Sequence, residues 1–72
     1  MAKSKLPINN CIRELRETNQ QMTQQALAER IGVTRQTVNA IEAGKYSPSL
    51  EVAFRIASVF ELPLEQVFKY RP

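Results

Sequence analysis

Arg35, Gln36, Asn39 and Ala40 fall within one six-residue run, RQTVNA, and three of them carry side chains that can bond to nucleobase edges. The helical period through Val38 and Ile41 turns those two inward and leaves the other four on one outward face. Arg bonds guanine through O6 and N7, while Gln and Asn pair with adenine through N6 and N7. No acidic residue lies among them, whereas a solvated surface helix usually mixes in Glu or Asp. The face therefore suits a polyanion, with an ordinary polar surface as the plainer reading of the same residues. Other chemistries lack their residues. The chain has no His, no Asp, one Cys, and neither a phosphate loop nor a metal-ligand cluster. It is expected not to be an enzyme and to need no cofactor, no metal and no small-molecule ligand.

A face of this kind works only if its scaffold is fixed, and the flanking sequence is built to fix it. Leu27 and Ile31 stand four apart, Gly32 and Val33 break the pattern, and Val38 and Ile41 resume it. This predicts two short helices meeting at a tight bend, with motif bounds 23–43. Glycine enters the left-handed region that ends helices without steric cost. Thr23 and Thr34 each precede a periodic run, where a hydroxyl can accept from an orphan amide. Ala28 is small enough to let the helix axes approach closely, and Ala43-Gly44 supplies a second stop.

The 72 residues predict one domain, 1–72, and a chain this short hides only about 60% of the surface its unfolded form exposes. A lone Cys11 rules out an internal disulfide, so oligomerisation is the expected staple. Cys11 reads as a small buried hydrophobe rather than a nucleophile, because no His exists to activate it. Ten Lys plus Arg against seven Glu give a net charge of +3, compatible with a nucleic-acid partner but weak support for one. No apolar run suits a membrane span and no signal peptide is visible, so a cytoplasmic location and no membrane partner are expected.

Ile8, Cys11, Ile12 and Leu15 follow helical spacing, predicting a first helix to about Thr18 with Asn9 or Asn10 as its cap. Ahead of it, Lys3 and Lys5 belong to a frayed end or a basic arm. Alternatively, Lys5 to Asn9 forms a short strand, since Pro7 disfavours helix at Leu6. Met22 should pack inward ahead of the Thr23 cap. Pro48-Ser49 opens a fourth helix in which Glu51, Arg55 and Ser58 form only a narrow polar stripe. Apolar residues occupy the rest of its circumference, so part of it, or of the following Leu64, Val67 and Phe68, is expected to meet a second copy; cover by the chain's own two ends is the alternative. Pro63 starts a short fifth helix. The VFKYR ending suits a strand that pairs antiparallel with the amino-terminal segment, its apolar side, including Tyr70, near the dimer seam.

The stretch TQQALAERIGVTRQTVNAIEAGKYSPS resembles the helix-turn-helix of the phage repressor/Cro family, also called the xenobiotic-response-element family. Ala28, Gly32, Val38, Ile41 and the tail IEAGKYSPSL carry the likeness, and PSLEVAFRIASVFELPLEQVF is similar to the family's fourth and fifth helices. It spans about Ile12 to Phe68. The resemblance implies an all-α, five-helix domain that binds double-stranded DNA as a homodimer and regulates transcription, most simply as a repressor. Two third helices would enter successive major grooves about 34 Å apart on a roughly palindromic operator. Arg35, Gln36, Asn39 and Ala40 would read bases. Thr23, Gln24, Thr34, Lys45, Tyr46 and Ser49 would meet phosphates, helped by free amides at helix amino ends. For Tyr46, a ring lying on the core is an equal alternative. Arg16 would reach Glu42 as a structural ion pair, and the dimer would close through Leu64, Val67, Phe68 and Tyr70. One departure is that Glu17 to Met22 is one residue longer than the family's usual spacing and lacks its glycine, a place Asn19 can fill. An antitoxin or other protein-interaction module on the same fold is the competing implication.

Overall fold

The structure, a computed structural model, describes residues 6–71; Lys3 and Lys5, assigned above to an arm or strand, lie outside them. Among the described residues, five helices are closed by a two-stranded ribbon. In chain order the elements are β1 (Ile8–Asn10), α1 (Ile12–Thr18), α2 (Gln24–Ile31), α3 (Arg35–Glu42), α4 (Leu50–Val59), α5 (Leu64–Val67) and β2 (Phe68–Tyr70). The strands pair antiparallel, with Ile8 opposite Tyr70, Asn9 opposite Lys69 and Asn10 opposite Phe68.

Each helix on either side of the bend begins on a capping hydroxyl. Thr23 Oγ1 accepts from the Ala26 amide at 3.0 Å, and Thr34 Oγ1 accepts from the Thr37 amide at 3.1 Å. Ser49 Oγ does the same for Val52 at 3.2 Å and starts α4. Helix ends are equally local. Gly32 takes φ +77°, and the amides of Gly32 and Val33 both donate to Ala28 O, at 2.9 and 3.0 Å. Gly44 takes φ +73°, with Lys45 N donating to Ala40 O and Gly44 N to Ile41 O. That nested pair of bonds satisfies the orphan carbonyls of α3 and fixes where the following loop departs.

The core is a single cluster. Ile12 of α1, Leu27, Ala28 and Ile31 of α2, Val38 and Ile41 of α3, Ile56 and Ala57 of α4, and Val67 of α5 are all buried. Ala28 is fully covered, on a helix that packs against both α3 and α4. Met22 packs against the same cluster.

Three details differ from the sequence expectation. Ile8 belongs to β1 and not to α1, because Cys11 N donates to Val67 O at 3.1 Å and holds the chain extended until Ile12. Cys11 is the half-buried cap position of α1, while Asn10 Oδ1 receives the Ile12 amide at 3.1 Å. After α1 the left-handed residues are Gln20 (φ +57°) and Gln21 (φ +54°), whereas Asn19 keeps φ −103°. The extra residue is absorbed by this double left-handed step, closed by Met22 N on Arg16 O at 2.9 Å. As expected, the chain does not itself cover α4 all round: Leu50 is 68% and Phe54 53% exposed.

Candidate nucleic-acid interface

Because Val38 and Ile41 anchor α3 from below, its amino-terminal half presents Arg35, Gln36 and Asn39 to solvent, with Ala40 half-buried beside them. Arg35 and Gln36 have no hydrogen-bond partner among the described residues, so all their donors face outward unspent. Thr34 stands at the head of this face, its hydroxyl 3.0 Å from that of Thr37.

Behind the face lies a polar network that ties three helices together. Arg16 of α1 donates through Nε to Glu42 Oε2 at 2.6 Å and through Nη2 to Glu42 Oε1 at 3.1 Å. Its Nη1 donates to Met22 O at 2.8 Å, so all three guanidinium nitrogens are engaged. The two side chains are only 11% and 8% exposed. The hydrogen bonds to Glu42 hold the Arg16 guanidinium above its ordinary pKa; desolvation opposes that rise, and the charges of Glu42 and Glu17 add to it. A cation whose folded pKa is raised contributes stability that is complete below its unfolded value and lost only as pH climbs through the folded one. For an arginine that window lies far above neutrality, so this contribution is constant across the neutral range.

The third member of this network had no local signal in the chain. Gln24, at the start of α2, donates from Nε2 to Glu42 Oε1 at 3.1 Å and to Asn39 Oδ1 at 3.3 Å. Its amide nitrogen is therefore spent on α3 and not aimed outward as a side-chain phosphate donor. What α2 leaves for an anion is the pair of first-turn backbone amides, Gln24 N and Gln25 N, which have no intrahelical acceptor. In turn, Asn39 is held by its oxygen and keeps Nδ2 free to donate. A second missed link is Asn10, whose Nδ2 donates to Ile41 O at 2.9 Å and pins the end of α3 to the ribbon. A third is Arg55, which bonds Ile31 O at 3.1 Å and Glu51. Its i,i+4 spacing from Glu51 was the one local signal; the reach across to α2 had none.

The other expected contacts sit around this face. Lys45 and Tyr46 are exposed on the loop after α3, and Tyr46, 52% exposed, lines a small crevice with Ile8, Pro48 and Phe68. The Thr23 and Ser49 hydroxyls accept as caps and keep their own O–H to donate. One expectation fails: Val67 is fully buried in the chain's own core, so it cannot form a dimer surface without unfolding α5. Leu64 and Phe68 are half-buried against that core, and of the four residues expected there only Tyr70, at 70%, stands well clear.

The fold and this face define a helix-turn-helix protein, and comparison with known proteins places it more closely. The helix-turn-helix family profile matches residues 12–67. An uncharacterized HTH-type transcriptional regulator of Methanocaldococcus jannaschii is 53% identical over 49 residues, covering 68% of this chain and 74% of the relative. The uncharacterized HTH-type transcriptional regulator YgzD of Bacillus subtilis is 46% identical over 61 residues, covering 85% of this chain and 91% of its own length. A crystal structure of a Bacteroides fragilis protein superposes with a TM-score of 0.73 at 24% identity, covering 86% of this chain and 98% of that one, a likeness of fold. The chain belongs to the helix-turn-helix family, in its repressor/Cro-type branch of DNA-binding transcriptional regulators.

Glu42→Gln removes the charge from a nearly buried pair and leaves Arg16 uncompensated. It is expected to lower unfolding free energy by about 3 kcal/mol in urea titrations, against a negligible effect for Glu17→Gln in the exposed Arg13–Glu17 pair.

Proposed function

We propose that the chain is a repressor that binds a roughly palindromic operator as a homodimer, with α3 of each copy in the major groove. The observation that carries this reading is the acid-free outer face of α3, where Arg35 and Gln36 are exposed and, among the described residues, unpartnered, and Asn39 is held ready by Gln24. Arg35, Gln36 and Asn39 supply base contacts, with the Ala40 methyl beside them. The amides that open α2, the Thr23, Thr34 and Ser49 hydroxyls, Lys45 and Tyr46 supply phosphate contacts, which set register and carry no sequence information. A cytoplasmic location belongs to the same reading, since that is where the duplex is met.

The dimer surface is best drawn through the large apolar side chains the monomer leaves open. Leu50 and Phe54 lie one turn apart on α4 at 68% and 53% exposure, and Tyr70 is similarly open. A chain with extents of 30 × 23 × 22 Å must nearly touch its copy if two α3 helices are to stand about 34 Å apart. A second copy seated on these residues would hide them and staple a small core.

Arg35→Ala should cost about 1 to 3 kcal/mol on the best duplex selected from a random pool and relax one position of the site. Lys45→Ala should weaken all duplexes alike and flatten the salt dependence. If Lys45→Ala changes sequence preference more than Arg35→Ala does, the division of roles is wrong. Phe54→Glu should leave the fold intact and convert the dimer to a monomer in sedimentation. A wild type that sediments as a monomer, or that co-purifies one-to-one with another protein, supports the protein-interaction alternative instead.

A further inference from the structure

An open cleft of about 400 Å³ runs between α1 and α3, and its lining includes Gln24 and Asn39 on one side and Arg13 and Glu17 on the other. It thus shares an edge with the face that would meet DNA. At the bottom of this cleft the Arg16 charge is already committed to Glu42 and Met22 O. Arg13 is placed differently. It sits one helical turn earlier on α1, 73% exposed, and its one partner among the described residues is Glu17, 57% exposed, at Nε–Oε2 3.2 Å.

We propose that Arg13 is a further phosphate-contacting residue, which leaves Glu17 when a duplex docks and neutralises the backbone beside the Gln24–Asn39 edge of α3. The exchange is favourable on general grounds. An exposed i,i+4 ion pair is weak and screened by salt, whereas a phosphate contact releases a condensed counterion into bulk. Glu17 acts in the opposite sense: its carboxylate competes for Arg13 and stands on the rim that a polyanion approaches. Arg13 and Glu17 together therefore set the affinity of this edge without touching a base, and α1 joins α2 and the α3–α4 loop as a third backbone clamp. The inference rests on the reading of α3 as the groove-entering helix.

The test compares wild type, R13A, R13K and E17Q on one selected duplex and on a scrambled one, between 50 and 200 mM salt, with circular dichroism as the check on fold. R13A is expected to bind both duplexes more weakly and to lose about 0.9 from the slope of log affinity against log salt for each contact removed. R13K should restore the slope, because a phosphate accepts any point charge, and E17Q should bind both duplexes more tightly than wild type. A wild type that binds while R13A matches it in affinity and slope overturns the role of Arg13 alone. A wild type that binds neither duplex overturns this inference together with the reading of α3 beneath it.

Discussion

The angle at which α3 is carried depends on one nearly buried charge pair, Arg16–Glu42, whose members stand 26 positions apart in the sequence. Placing two charges at 11% and 8% exposure sacrifices hydration, and such pairs are weak contributors to stability unless every lone pair and proton finds a partner. Here they do. Arg16 spends all three nitrogens, and Glu42 accepts from Arg16 twice and from Gln24 once. What this geometry supplies is direction: apolar contacts alone tolerate rotation of one helix on another, but a bidentate fork does not.

Around that pair the rest of the molecule removes the remaining freedoms. Val38 and Ile41 fix which face of α3 points down, Thr34 fixes where it begins, and the left-handed Gly44 fixes where it stops. Its final carbonyls are held as well, since Asn10 reaches Ile41 O from the ribbon. Arg55 performs the matching service for α2 at Ile31 O. The ribbon brings the two described ends of the chain together over α5, so that Val67 can close a core that 72 residues would otherwise leave open. The result is a braced scaffold on which Arg35 and Gln36 make no hydrogen bond among the described residues.

Much of this was legible in the sequence because it is local. Thr23, Thr34, Ser49, Gly32 and Gly44 announce caps and stops within a few residues, and the apolar period around Leu27, Ile31, Val38 and Ile41 gives the bend and its inner faces. The ribbon also followed from Pro7 and the alternation of VFKYR. What escaped was of longer range or turned on exposure. Gln24 reads as a surface residue until α3 is packed beside it, and Asn10 reads as a helix cap until Ile41 O lies within reach. The Ile8–Cys11–Ile12–Leu15 spacing mimicked helix from its start, because a strand entering a helix can share its first apolar positions. Val67 looked like an interface residue because its apolar neighbours outnumbered the visible partners, yet α5 folds it inward and leaves Leu50 and Phe54 outside.

Chemical interference mapping tests the central claim that the outer face of α3 is read against base edges in the major groove. A selected duplex is lightly methylated with dimethyl sulfate, which marks guanine N7 in the major groove and adenine N3 in the minor groove, and bound and free molecules are then compared. The account predicts that N7-methylated guanines at defined positions are excluded from the bound fraction while N3-methylated adenines pass through unaffected. Exclusion confined to N3-methylated adenines, with guanine N7 free to carry its methyl group, would contradict it.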